Sequence, residues 1–200
     1  MILYGASGHG KVVAEILRDN SVTEVEFWDD NEYAFIESER ISLPSNNSGT
    51  ELIVTVGLNH IRYDIVRSLN NTSFGNAIHS NAVVSKSCNL GHGTVIMALA
   101  IINASTNIGS HVIVNSGSII EHDCVIDDFV HVSPGATVCG GVHVGEGTWI
   151  GAGAKVKNGV KIGKWAIIGM GAIVISDVPD FSIFTGMPAV LKSTNVNIRK

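Results

Sequence analysis

Counted in sixes from Ile78, the chain meets an aliphatic side chain at every step: Ile78, Val84, Leu90, Ile96 and onward to Ile162, Ile168 and Val174, seventeen positions that are all Ile, Val or Leu. A helix repeating every 3.6 residues cannot hold a strict six-residue register over half a chain. The period therefore describes a solenoid built from hexapeptides. Four residues after each aliphatic position stands a small or β-branched residue, among them Ala100, Thr106, Ser118, Cys124, Ala136 and Ala154. Small groups of this kind suit tight corners. Gly91, Gly109, Gly145, Gly151, Gly163 and Gly169 read as turn residues chosen for backbone angles that other residues resist.

This double pattern resembles the left-handed parallel β-helix of the hexapeptide-repeat acyltransferases, in which three hexads make one triangular coil. The resemblance runs over residues 76–176 and implies roughly five and a half coils, stacked about 4.8 Å apart like ordinary paired strands. Residues 177–200 break the period at Pro179 and Pro188 and are predicted to cap the open edge. Their GMPAVLK is similar to the segment that follows the last coil in these transferases.

Residues 1–75 have another grammar. MILYG reads as a buried strand and SGHGKVVAEILRDN as a helix, with Val12, Val13, Ile16 and Leu17 at helical spacing. VEFWDD and ELIVTVG follow as strands, and NHIRYDIVRSLN as a second helix. Strands alternating with helices predict a small parallel α/β unit with Rossmann-like connectivity. The turn Gly5-Ala-Ser-Gly8-His9-Gly10 can present a helix N-terminus to a phosphate, although it departs from G-x-G-x-x-G. Asp29 and Asp30 end the second strand, where such folds place a ribose-binding acid. A unit of this size holds half a dinucleotide site, which favours a single nucleotide or nucleotide-sugar over NAD.

Composition narrows the partners. The net charge is −5, with the acidic excess in the first 75 residues, which argues against nucleic acid. Lys155, Lys157, Lys161 and Lys164 are grouped in the solenoid and can neutralise a small polyanion or simply solvate its coils. Three cysteines without a C-x-x-C pair argue against a disulfide framework and a thiolate zinc site. No apolar run approaches the roughly 20 residues of a spanning helix, and the start is too short for a secretory signal, so a cytoplasmic location is expected.

The stretch IIEHDCVIDDFVHVSPGA carries the candidate chemistry. His122 and His131 are half a coil apart and are predicted on opposite sides of the prism, so they can meet only between subunits of a threefold assembly. Gly140 falls one coil after His122, where its N–H can stabilise an oxyanion beside the imidazole. Acyl transfer from a thioester needs that donor and a general base. Asp123 or Glu121 can orient the imidazole; on an extended strand neighbouring side chains diverge, so one of the two at most is expected to do so. His92, His111 and His143 read as ordinary surface histidines.

GASGHG, the DD pair and N-S-x-S-x-x-E-H-D-C-x-I together resemble the sialic-acid O-acetyltransferase and bacillosamine-pathway N-acetyltransferase group. The resemblance implies His122 as catalytic base, Asp123 as its acidic helper and Gly140 as oxyanion donor. It implies Asn115 and His131 in the acetyl-CoA and acceptor cleft, and His9, Asp29 and Asp30 on a nucleotide-sugar. Lys155, Lys157, Lys161 and Lys164 are assigned to coenzyme A phosphates on charge alone. The expected enzyme is a homotrimer that uses acetyl-CoA and no metal to acetylate the 4-amino group of a nucleotide-linked, UDP-preferred, 4-amino-4,6-dideoxy sugar for glycan synthesis. A sialic-acid O-acetyltransferase and a noncatalytic nucleotide-sugar scaffold are the alternatives. A zinc lyase of the γ-carbonic-anhydrase type is disfavoured because the solenoid lacks a histidine pair five residues apart.

Overall fold

The structure, a computed structural model, describes residues 1–31, 34, 36, 41, 42 and 49–194. The part of the predicted cap beyond Thr194 lies outside the described residues. The first unit is a parallel sheet of β1 (Ile2–Tyr4), β2 (Glu26–Trp28), β3 (Ile41–Ser42) and β4 (Leu52–Val54) in the order β3-β2-β1-β4, with α1 (Gly8–Asp19) and α2 (Asn59–Ser68) as the connecting helices. Sequence reading missed β3, a two-residue edge strand paired to Phe27 and Trp28. Leu3, Phe27 and Ile53 pack with Val13, Ile16 and Leu17 of α1 on one side of the sheet, and Tyr4, Trp28 and Val54 pack with Ile65 and Val66 of α2 on the other.

From β5 (Ala77–Ile78) to β21 (Ile173–Val174) the chain forms seventeen two-residue strands, one per hexad. They stack in parallel into the three faces of a left-handed β-helix. The inward aliphatics from Ile96 to Val174 are buried and form one continuous core. Small residues line the corners within it, and the polar ones are satisfied: Thr106 Oγ1 donates to the Glu121 carbonyl at 2.8 Å and Thr148 Oγ1 to the Gly163 carbonyl at 2.6 Å.

The corner chemistry differs from the expectation. Positive φ recurs every six residues at another set of positions, Gly93, Leu99, Ser105, His111, Gly117, Asp123 and so on to Gly171. The glycines at 91, 109, 145, 151, 163 and 169 have no positive φ; a Cβ there would press on the next coil, as at Gly91 against the Gly109 carbonyl carbon at 2.5 Å. Those six are glycine for close stacking rather than for torsional freedom.

The first face presents Ala77, Val95, Ile113, His131, Trp149 and Ile167 outward, and the second Val83, Ile101, Ile119, Thr137, Lys155 and Ile173. The third carries Asn89, Asn107, Val125, His143 and Lys161. Ala77, Val95 and Met97 belong to the same buried cluster as Leu3, Val13 and Phe27, so the α/β unit sits directly on the first face. Beyond β21, β22 (Ser182–Gly186) extends the first face and β23 (Ala189–Thr194) pairs back antiparallel to it. Among the described residues, no helix is long and apolar enough to cross a membrane.

Candidate active site

His122 stands on the corner between the second and third faces, its side chain 59% exposed. The corner is a turn rather than extended strand, which changes how its acids behave. Asp123 occupies the left-handed position at φ 58°, so adjacent side chains converge and Nδ1 of His122 lies 2.8 Å from Oδ2 of Asp123. A carboxylate can only accept, so Nδ1 carries a proton and donates it to Asp123, leaving Nε2 on the outer edge of the ring. Glu121 instead accepts a hydrogen bond from Asn103 Nδ2 at 2.9 Å, one coil back. One acid does orient the imidazole, but through turn geometry rather than strand alternation.

Gly140 lies one coil beyond. A Cβ built there would fall 2.7 Å from Cε1 and 2.8 Å from Nε2 of His122. Among the described residues the Gly140 N–H has no acceptor. At two other corners the equivalent N–H meets a carboxylate: Ser110 N–H donates to Asp128 Oδ1 of the next coil at 2.7 Å, and Lys164 N–H to Asp180 Oδ1, beyond the last coil, at 2.8 Å. These turn amides are therefore disposed to hold an anionic oxygen, and Gly140 offers one beside the His122 imidazole.

His131 projects from the first face, away from the His122 corner. It is buried, its ring stacks on Trp149 at 5.6 Å between centroids, and its Nε2 lies 3.0 Å from Asn115 Nδ2. Trp149 in turn donates to Ser133 Oγ at 2.7 Å, so the platform under His131 is itself held in place. The amide nitrogen of Asn115 can only donate, so His131 Nε2 accepts, hence a neutral imidazole. Burial agrees, pushing its pKa down to about 3, with Arg62 and His9 adding to the effect and the Gly57 main chain opposing it. His9, on the first turn of α1, is likewise pushed down to about 4 by burial and by Arg62. His131 and Asn115 are in contact on the first face, and His9 lies near enough for its charge to bear on His131.

In the α/β unit the strand order reverses between β1 and β4, and the crevice at such a point is where ligands bind in open parallel sheets. Its rim is the Gly5–Gly8 turn and the Thr55–Gly57 loop, in contact through Gly5 and Val56. Gly5, at φ 123°, makes the turn, while Gly10 packs α1 closely on the Gly5 carbonyl. Both oxygens of Asp29 are committed to main chain, accepting from Ala6 N–H at 2.7 Å and Asn31 N–H at 2.9 Å. Asp30 accepts from the Tyr4 hydroxyl at 2.7 Å. Burial, then Asp30, raises the Tyr4 pKa, so that hydroxyl stays a donor.

The four lysines are not one patch. Lys155 projects from the second face and Lys157 sits on the His122 corner, whereas Lys161 projects from the third face and, with Lys164, shares a groove with Asp127, Asp177 and Asp180. His143, also exposed, pairs with Asp127 Oδ2 at 3.1 Å.

Sequence reading missed the joint between the units. His111, expected at the surface, is 3% exposed because its corner lies under α2. His111 stacks on Phe129, and Tyr63 of α2 meets Phe129 and Trp165 edge-on. Gly93 and Gly147 stand in the same corner column, where a Cβ would strike the rings of His111 and Trp165. Rings and glycines sharing one column at coil spacing, Gly93, His111, Phe129, Gly147 and Trp165, are the available signal. Burial, His92 and Arg62 push the His111 pKa down to about 4.

These three histidines set a pH dependence. From their ordinary 6.5 down towards 4, the unfolded chain binds protons that the folded chain refuses, so unfolding free energy falls as pH falls through that window. Urea midpoints should drop between about pH 7 and about pH 5, above most carboxylate titration. His111→Phe, which Phe129 shows the corner can hold, should remove part of that drop.

The family described as "PglD N-terminal domain" matches residues 1–69, and "Bacterial transferase hexapeptide (six repeats)" matches residues 141–176. No curated protein matches the chain. Among solved structures, the acetyltransferase domain of PglB from Neisseria gonorrhoeae FA1090, in complex with acetyl coenzyme A, is 33% identical with a TM-score of 0.90, over 95% of this chain and 97% of that one. A mutant of GDP-perosamine N-acetyl transferase from Caulobacter crescentus, in complex with CoA and GDP-perosamine, is 34% identical over 96% of each chain, with a TM-score of 0.90. WeeI from Acinetobacter baumannii AYE is 27% identical over 95% of this chain and 98% of that one, with a TM-score of 0.89.

Proposed function

The chain belongs to the hexapeptide-repeat sugar acetyltransferases that carry a PglD-type N-terminal domain, and from that premise we propose that it acetylates the 4-amino group of a nucleotide-linked 4-amino-4,6-dideoxy sugar. It is an acyltransferase that draws on acetyl-CoA. The observation that carries the residue-level reading is the His122 corner: Nδ1 tied to Asp123, Nε2 open, and an unclaimed Gly140 N–H alongside.

The chemistry follows from that corner. The neutral amine attacks the thioester carbonyl, and the oxygen that becomes negative accepts the Gly140 N–H. Nε2 takes the proton from the nitrogen, while Asp123 accepts from Nδ1–H and stabilises the imidazolium. Collapse expels the coenzyme A thiolate, which recovers that proton, leaving the amide and a neutral His122. The acceptor is held by its nucleotide in the β1/β4 crevice, with the diphosphate at the N-terminus of α1. Asp29 acts by fixing the turn, and Asp30, His9, Asn115 and His131 face the nucleotide-sugar. Lys155 and Lys157 suit the coenzyme A phosphates better than Lys161 and Lys164, which have acidic company.

The second face is the place for another subunit. Val83, 61% exposed, continues through Ile101 and Ile119 as an outward aliphatic stripe, followed by Thr137 and Lys155, and Ile119 lies on the coil whose next corner carries His122. Packing about a threefold axis there would set His122 against the neighbour's first face, and the enzyme is proposed to work as a trimer.

Thiol release from acetyl-CoA with UDP-, GDP- and dTDP-linked 4-amino sugars tests the reading. We expect rapid turnover with one carrier, UDP by preference, with GDP the alternative in view of the Caulobacter relative's ligand. Turnover on free sialic acid but on no nucleotide-linked amine would overturn it.

A further inference from the structure

Among the described residues Arg62 is the largest fully buried side chain, and none of its hydrogen bonds there goes to a carboxylate. Its guanidinium instead gathers main chain from both units. Nη1 donates to the carbonyls of Val56 at 2.9 Å and Gly57 at 3.3 Å, on the rim of the nucleotide crevice. Nε donates to the His111 carbonyl at 3.0 Å and Nη2 to the Phe129 carbonyl at 2.8 Å, on two successive solenoid corners. Nη2 also reaches Asn59 Oδ1 at 3.0 Å, whose amide nitrogen donates to the Gly147 and Thr148 carbonyls of the next coil at 3.1 Å each. Burial lowers the Arg62 pKa to about 9, which leaves it charged at neutral pH.

A buried cation without a counter-ion is costly, and an apolar residue could fill such a joint. What an apolar residue cannot do is hold four carbonyls from two units in one plane. Lysine cannot either, since three donors on a single nitrogen do not form the guanidinium's fork. The groups so held are the loop that shapes the nucleotide crevice and the corners flanking Ile113 and His131 on the first face.

We infer that Arg62 is a positioning residue for the acceptor: it clamps the Val56–Gly57 rim to the solenoid and so sets how far an anchored nucleotide stands from the acetyl-transfer face. The inference rests on the proposed use of the crevice for the acceptor's nucleotide. Arg62 touches neither substrate; a shift of about 1 Å in such a support is enough to cost roughly a hundredfold in rate.

The test is Arg62→Lys, with Asn59→Ala as the milder variant should the first fail to fold. Acceptor and acetyl-CoA KM values are measured alongside hydrogen exchange over residues 56–58 and 119–140. The expected result is an acceptor KM raised about tenfold or more, because the released Val56–Gly57 rim no longer holds the nucleotide in place. The acetyl-CoA KM should stay within about twofold, the scatter of an uninvolved site, and exchange should rise at 56–58 but not at 119–140. A parallel loss for both substrates, or unchanged exchange at 56–58, overturns the inference. If no nucleotide-linked sugar reacts even with the unmodified protein, the proposed function fails. Calorimetric binding of UDP, GDP and dTDP together with the exchange data then decides this inference separately: weaker binding in the variant supports it, and unchanged binding sinks it.

Discussion

His122→Ala is expected to lower kcat by about 10² to 10⁴-fold, the range for loss of a positioned general base, while both KM values change little. The reason lies in the corner. The imidazole is mostly exposed and hydrogen-bonds to Asp123, so its removal takes nothing from the solenoid core. Thermal unfolding should therefore coincide with that of the unaltered protein. Asp123→Asn makes a useful companion: the amide can still accept from Nδ1–H through its oxygen but no longer offers a negative charge to an imidazolium. A smaller kcat loss than in His122→Ala is expected from it. Steady-state thiol release and calorimetry on the two variants check both statements, and a His122→Ala protein with near-normal kcat would remove the imidazole from the mechanism.

The ease with which that corner was read, and the difficulty of reading the joint, have the same origin. In a solenoid the backbone is periodic, so residues eighteen apart are neighbours without any tertiary reasoning; His122 and Gly140 follow from counting, as the pairing of Ile120 with Val138 confirms. Counting does not give torsion angles. The alternation rule for strands applies to two residues in each hexad, and Asp123, in the left-handed turn position, escapes it. For the same reason the sequence suggests turn glycines at 91, 109 and 145, whereas the left-handed positions are those at 93, 117 and 147. Arg62 left no sequence signal at all: on α2 it looks like one more charged residue of an exposed helix, and its burial exists only because α2 lies across His111 and Phe129. Interfaces between units depend on relative placement, which no local period encodes. His131 falls between the two cases, since its face was legible but its stacking on Trp149 beneath the α/β unit was not.

Gly140 and Gly141 allow the proposed oxyanion site to be separated from the turn that carries it. In Gly140→Ala the new Cβ would lie 2.7 Å from His122 Cε1, closer than real carbon contacts permit, so the imidazole must swing outward. That swing breaks the hydrogen bond to Asp123 and carries Nε2 away from the neighbouring N–H at the same time. The displaced ring is exposed and Gly140 has no positive φ, so the backbone tolerates alanine and folding stability should barely change. A kcat loss of about a hundredfold or more is expected, the scale of one lost oxyanion donor with its base misaligned. Gly141 is the reverse. Its φ of 68° is hostile to a side chain, yet a Cβ there has nothing within 4 Å. Gly141→Ala should cost about 1–2 kcal/mol of folding stability through backbone strain and less activity than its neighbour. Urea unfolding and thiol-release kinetics on the two proteins decide the matter: if Gly140→Ala loses stability and rate in proportion, as Gly141→Ala should not, then Gly140 serves the turn alone and the oxyanion must be held elsewhere.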